Sequence, residues 1–414
     1  VAQPPLTAVR APQRPATVLR VRYRLTPWWA KVAVVWAVSR VVSTGLLLIF
    51  AAGQAANQWT GAHPSYLAYS QLWDSTWYHI VAVSGYPSVL PLTADGHVAE
   101  NAWAFLPAYP MLVRFLMVIT TLPWEPLSVF VSLVFSLLAA LMIYRLLHLR
   151  LPSGTALFAV VLYCVSPVSP ILQVSYAESM HAFLLALALF LLLERRYAAL
   201  FPVVAVMSLT RPSGLAFALA LALHLVHRWF TRARDPFPAT ERLLGIGLAA
   251  FSLAMGFAWT VAAWAVTGSA SAYTDTELAW RAPYIGYREL MPFASWLQGA
   301  EFWAAQWRID GWLAILLLVA VVAAFALSLF LPAVRRLGVD LRFWSASYAV
   351  YLLAVFFPQT STFRLLLPMF PLLGAVAQPR SALYRVGMVA LFIAGQYGWL
   401  FLCWWVDGYD WTPP

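Results

Sequence analysis

The chain has 414 residues, of which 62% are hydrophobic and only 10% charged, with a mean hydropathy of +0.75. A soluble domain is roughly half apolar and a quarter charged, so water is excluded as the main solvent and an integral membrane protein is expected. The net charge of +10 would point to nucleic acid in a soluble protein, but here its placement along the chain reports topology, and no nucleic-acid partner is expected.

Residues 1–31 form a basic, proline-containing cytoplasmic tail with Arg10, Arg14, Arg20, Arg22, Arg24 and Lys31, read as disordered. The apolar run that follows is much longer than a signal-peptide core, so it reads as a retained first span. Segmenting by apolar runs gives about eleven spans, at 32–52, 126–146, 153–170, 178–194, 198–210, 213–228, 243–266, 311–332, 343–358, 365–378 and 386–405. The fold class is therefore all-α: a polytopic transmembrane helical protein with one membrane domain over 32–406 and a C-terminal tail over 407–414.

With the N-terminus cytoplasmic, alternate connections collect Arg145 and Arg150, Arg195 and Arg196, then Arg228, Arg232, Arg234 and Arg242, then Arg335, Arg336 and Arg342, and finally Arg380 and Arg385. This is a consistent positive-inside pattern. Most acids fall on the opposite side: Asp74, Asp95, Glu100, Glu125, Asp275, Glu277, Glu289, Glu301, Asp310, Asp407 and Asp410. Two outward loops are long, 53–125 and 268–310, and both are rich in Trp and Tyr. An aromatic belt at headgroup level explains most of these rings, with a few left as candidates for stacking on sugar. Cys164 and Cys403 sit in apolar stretches without ligand-like spacing and are given no function.

In the first outward loop, 72–83 reads as a short interfacial helix with Asp74 in its first turn and Tyr78 one turn on, ended by Gly85-Tyr86-Pro87. An acid in a first helical turn is favoured by the dipole, so a purely structural role for Asp74 stands beside a chemical one. Ala104-Phe105-Leu106-Pro107-Ala108-Tyr109-Pro110 then breaks the chain before a short apolar run, which places a second interfacial or re-entrant helix at 105–122.

Trp73-Asp74, Tyr78, Gly85-Tyr86 and the 104–110 segment resemble the W-D…G-Y…A-F-F-P-x-x-P block of the PIG-V mannosyltransferase family. Ser166-Pro167 with Tyr176-Ala177-Glu178-Ser179, and Leu209-Thr210-Arg211-Pro212-Ser213-Gly214-Leu215, are similar to that family's N-P…Y-S/T-E-S and L-x-R-S-N-G-L segments. Leu106 stands where the family has Phe, and Ser213 where it has Asn. The resemblance covers roughly 38–216 and implies a bacterial member with a GT-C glycosyltransferase fold, bound to the plasma membrane with its active site outside. It implies a polyprenyl-phosphate-mannose donor, a lipid-linked or glycan acceptor, contact with membrane lipids, an inverting transfer, and Asp74 as general base.

The leaving lipid phosphate needs cationic donors. Arg211 is the first candidate, with an ion pair to Glu178 as its structural alternative; Arg364, in Gln359-Thr360-Ser361-Thr362-Phe363-Arg364, is the second, with ordinary loop charge as its alternative. Tyr78, His79, Glu100, Tyr109 and Glu178 are the candidate substrate-binding residues. Among them His79 ranks low because five residues from Asp74 on a helix is not a neighbouring position, and for Glu100 a solvated loop acid is the favoured reading over a contact with acceptor hydroxyls. Arg40 and Arg114 either serve lipid phosphates or snorkel. No cofactor and no metal are expected, since a lipid-monophosphate donor does not require one. Another GT-C glycosyltransferase using a different sugar, and a lipid or solute transporter, remain the competing classes.

Overall fold

The structure is a computed structural model that describes residues 25–407 and Pro413. The basic tail up to Arg24, and most of the C-terminal tail with Asp410, lie outside the described residues. Helices dominate throughout. The chain begins with α1 (Trp28–Gly53), the short α2 (Tyr66–Tyr69), α3 (Asp74–Ser84), α4 (Ala108–Thr120), α5 (Trp124–His148) and α6 (Ser153–Cys164). It continues through α7 (Glu178–Leu193), α8 (Tyr197–Ser208), α9 (Gly214–Thr231), α10 (Ala239–Thr267), α11 (Ala272–Ile285) and α12 (Ala294–Trp307). The last third holds α13 (Gly311–Ser328), α14 (Pro332–Arg335), α15 (Val339–Val355), α16 (Thr362–Leu365), α17 (Leu373–Val376) and α18 (Ala382–Cys403).

Six of these, α1, α5, α9, α10, α13 and α18, are long and apolar enough to cross a membrane. The chain is thus an all-helical, polytopic membrane protein. An 18-residue helix is about 27 Å long, close to the hydrocarbon thickness, whereas α6, α7 and α8 are shorter. Every one of the eleven apolar runs contains helix, but the 365–378 run is broken into 3-10 and α-helical pieces at Pro368 and Pro371, which cannot donate to a helical ladder.

Burial follows the expected solvent. No residue of α13 is buried, and Leu316, Leu317, Val319 and Val321 are all exposed, which is stable only against lipid. The core instead lies around α5, α6 and α7, where α5 packs along α7 and Ala139, Ala140, Leu185 and Ala188 are all buried. Arg40, inside α1, is buried and donates to the carbonyls of Cys164 (2.7 Å) and Ser169 (2.8 Å). It therefore satisfies the carbonyl at the end of α6 and one at the start of the 3-10 turn Ser169–Gln173 that follows, a cap rather than a lipid contact.

The two long connections meet at one end of the bundle. The first carries α3 and α4, and the second carries α11 and α12. α3 starts at Asp74, two residues later than the reading of 72–83, because Trp73 takes a left-handed φ of 61° that no helix accommodates. α4 is the short helix expected at 105–122, and it stops at Thr121, also at positive φ. Gly214 and Gly256 let α9 and α10 touch: a Cβ at Gly214 would lie 2.8 Å from the Gly256 nitrogen.

Candidate active site

Between the two long connections and the ends of α7, α9, α10 and α15 lies a cavity of about 1370 Å³. Its floor is ionic. Glu178, the first residue of α7, accepts from Arg211 and, at 3.0 Å, from Nη1 of Arg364. The same Arg364 nitrogen lies 2.5 Å from Oδ2 of Asp74, and Arg211 approaches that oxygen to 3.9 Å. Two carboxylates and two guanidiniums thus share one largely buried cluster with no net charge, Glu178 and Arg364 fully within the protein and Asp74 and Arg211 partly exposed to the cavity. Burial works against the charge of Arg364, but Asp74, Glu178 and Tyr176 outweigh it and hold the guanidinium above its ordinary range. Arg211 is raised in the same way, with burial again opposing and Glu178 the largest favourable influence. Both remain cations at any physiological pH.

Each member is placed by local structure. The Tyr176 hydroxyl accepts from the Asp74 backbone N–H at 3.2 Å and donates to the Leu72 carbonyl at 3.4 Å, so a buried phenol spans the turn that precedes α3. The strained Trp73 lies within that turn, a backbone state that costs about 1–3 kcal/mol and persists only where its surroundings impose it. Gln71 adds a second fastening, donating to Ser175 Oγ at 2.7 Å and accepting from Ser75 Oγ at 2.8 Å. The Ala108 N–H donates to the Leu209 carbonyl at 3.0 Å, which ties the 104–110 segment to the connection that carries Arg211. His181, one turn into α7, contacts Ser213 Oγ at 3.0 Å. Segments far apart in the chain, at 71–75, 104–110, 175–181, 209–214 and 361–364, are thereby bound into one site.

Of the expected residues, Asp74, Arg211, Arg364, Tyr78, Glu100 and Glu178 line the cavity. The ion pair of Arg211 with Glu178 is present while Arg211 also faces the cavity, and Arg364, buried and paired with Asp74 and Glu178, is not an ordinary loop charge. His79 and Tyr109 do not reach it. The His79 ring stacks on Trp124 with centroids 5.2 Å apart, and the wholly buried Tyr109 hydroxyl donates to the Ser128 carbonyl at 2.9 Å, so each is consumed in packing α3 and α4 onto α5. Burial pushes the Glu100 carboxyl upward, which separates it from a freely solvated loop acid. Missing from the sequence reading were His181, the fastening phenol of Tyr176 and, on the second long connection, Glu277 with Tyr273. The only available signal for the last pair was spacing, Tyr273 lying four residues before Glu277 on a short helix.

The cavity walls are aromatic: Trp59, Trp73, Trp77, Trp280, Trp303 and Tyr348 face it. Trp77 stacks on Phe105 with rings 5° from parallel, and Trp280 meets both edge-on. The buried indole N–H groups of Trp73 and Trp280, Oε2 of Glu178 and Nε of Arg364 have no hydrogen-bond partner in the protein. Buried polar groups are normally paired, so these atoms are available to a polar ligand. Among the described residues no cluster of three or more His, Cys, Asp or Glu side chains is arranged to hold a metal ion.

No family model matches the chain, and no curated protein matches it. Seven chains of solved structures do. One is the crystal structure of the Archaeoglobus fulgidus oligosaccharyltransferase tethered by a disulfide bond to an acceptor peptide containing the NVT sequon. Identity is 13% over 88% of this chain and 53% of that one, with a TM-score of 0.40. The chain therefore spans about half the length of that protein.

Proposed function

We propose that the protein is an inverting membrane glycosyltransferase of the GT-C kind. In this reading it moves mannose from a polyprenyl-phosphate-mannose donor to a glycolipid or glycan acceptor outside the membrane, with Asp74 as general base. The observation that carries the reading is the Asp74–Arg364–Glu178–Arg211 cluster at the floor of an aromatic cavity, at the end of a membrane bundle.

The chemistry follows from charge. A sugar phosphodiester carries one negative charge, and the lipid phosphate that leaves carries two, so the transition state gains negative charge on phosphate oxygens. Arg211 and Arg364 are fixed cations in a largely buried site, where such charge is stabilised more strongly than in open water. In the resting cluster Arg364 occupies Oδ2 of Asp74, so that oxygen is not open to an acceptor hydroxyl. A donor phosphate competes for the same guanidinium and releases the carboxylate as it binds. The acceptor oxygen then attacks the anomeric carbon, the bond from that carbon to the phosphate oxygen breaks, and the hydroxyl proton passes to Asp74. One displacement inverts the centre, so a β-linked mannosyl phosphate yields an α-mannoside. Tryptophan faces along the walls supply apolar surface for a sugar ring and for the first prenyl units.

The test uses detergent-purified protein, synthetic polyprenyl-phosphate mannose and octyl α-mannoside, with products read by mass spectrometry and NMR. We expect an α-linked mannosyl product. For Arg211→Ala we expect donor KM to rise about tenfold or more, with acceptor KM unchanged. Transfer from the glucose or arabinose analogue in place of mannose would overturn the sugar assignment, and no turnover of any lipid-phosphate sugar would overturn the enzymatic one.

A further inference from the structure

A further carboxylate, Glu277, faces the same cavity from α11, outside the ionic floor. Its position is fixed from several directions. Thr276, its neighbour on the helix, accepts from Asn101 Nδ2 at 2.9 Å, which ties α11 to the first long connection. Ala272 packs with Trp103 against Trp259 and Ala262 of α10. One turn further on, Arg281 is buried and donates to Ser295 Oγ (2.9 Å) and to the Arg288 carbonyl (2.7 Å), fastening the far end to the chain that leads into α12. A helix held at both ends presents Tyr273, Glu277 and Trp280, one turn apart, to the cavity. Tyr273 is an electrostatic neighbour of Glu277, and the Trp280 indole N–H has no partner.

From this placement we propose that Glu277, with Tyr273, is the acceptor-binding element of the site, receiving carbohydrate hydroxyl groups across the cavity from Asp74. The assignment rests on the glycosyltransferase reading and adds to it the residue that recognises the acceptor. Three features argue for it. Glu277 is half-buried because it faces open cavity rather than packed protein, unlike Glu178, which is buried in its ion pairs. Among the described residues no salt bridge engages it, so no cation in ion-pair contact competes with a ligand for the carboxylate. Its flanks, a phenol, an unpartnered indole N–H and aromatic faces, combine hydrogen bonding with apolar stacking, as a pyranose ring requires.

The surroundings also define a pH signature. The groups acting on Glu277 are Tyr273 and Arg281 from its own helix, Arg211 from the α8–α9 connection and Tyr351 from α15. Burial outweighs the arginines and pushes the carboxyl up to about 7. Sugar hydroxyls donate best to the ionised form, so bound acceptor pulls the carboxyl back down. Linkage then makes acceptor affinity rise as the pH climbs through that value.

The experiment measures binding of octyl α-mannoside to the purified protein by calorimetry from pH 6 to 8, without donor, alongside transfer assays. For the unsubstituted protein we expect Kd to fall about tenfold across that range, corresponding to one proton of linkage. Glu277→Gln should flatten the profile, Glu277→Ala should weaken binding about tenfold or more at pH 8, and Tyr273→Phe should weaken it less; donor KM should stay unchanged in all three. Unaltered binding in Glu277→Ala, or no binding of octyl α-mannoside to the unsubstituted protein, overturns the proposal. Binding without transfer from any donor would instead overturn the enzymatic reading, which keeps the two failures apart. A loss of binding in Glu277→Ala that the folded, isosteric Glu277→Gln does not share at pH 6 would distinguish recognition from collapse of α11.

Discussion

Oδ2 of Asp74 lies 2.5 Å from the Arg364 guanidinium, so an acceptor hydroxyl reaches that oxygen only once something takes the guanidinium away. The cluster resolves this because Arg364 is shared: it holds Glu178 as well as Asp74, so a phosphate replacing Asp74 leaves the buried cation still paired. Removing one partner of a buried ion pair costs about 3–5 kcal/mol, which sharing avoids. The Tyr176 hydroxyl is the positioning group, since it touches the Asp74 backbone and no reacting atom. Tyr176→Phe should lower kcat about tenfold while leaving both KM values within a factor of two, because the turn before α3 loses its fastening and the substrate contacts remain. Equal changes in KM and kcat, or none, would remove Tyr176 from that role. Asp74, Arg211 and Glu178 were legible in the sequence because a charge flanked by Trp or interrupting an apolar run is costly without purpose. The Tyr176 phenol was not, since a tyrosine before a helix announces nothing until its partner 102 positions earlier is placed beside it.

At the scale of helices, the site depends on how closely α9 and α10 approach. Arg211 lies three residues before Gly214, where an added Cβ would meet Gly256 backbone atoms at 2.8 and 2.9 Å and Ser208 Oγ at 2.8 Å. Backbone cannot swing aside as a flexible side chain can. Gly214→Ala should therefore force the helices apart, cost about 1–3 kcal/mol of stability, and move Arg211 away from Glu178. The expected outcome is a lower Tm and a loss of transfer larger than the stability change alone explains. Gly387→Ala in α18, where a Cβ meets nothing within 4 Å, should change neither. Full transfer by Gly214→Ala would show that the helix contact does not set the position of Arg211. The glycine stood in the sequence as part of a motif, yet its reason, contact with a second glycine 42 positions on, is a property of packing. The apolar runs were legible as helices for the opposite reason: their period and hydrophobicity are local. Their lengths were less so, because a short helix sheltered by neighbours, such as α6 or α8, reads in sequence like a full span.

Across the whole molecule, polarity is sorted by end. The cavity gathers Asp74, Glu100, Glu178 and Glu277 with Arg211 and Arg364, whereas Arg195, Arg228 and Asp235 form a separate ion-pair group at the far end of α9. Eighteen residues of helix, about 27 Å, separate the two. On the proposed glycosyltransferase reading, this arrangement gives a lipid-facing bundle with, at one end, a chamber for an amphiphilic donor and a polar acceptor. The acidic bias of that end could be read from the sequence, but the convergence of two loops some 200 residues apart into one chamber could not. The most direct measurement is transfer from synthetic polyprenyl-phosphate mannose to octyl α-mannoside by Asp74→Asn, with folding checked by thermal melting. Loss of about 100-fold or more in kcat, with donor binding retained and the fold intact, is the result predicted for a general base. A variant that transfers mannose at the rate of the unsubstituted protein would contradict it.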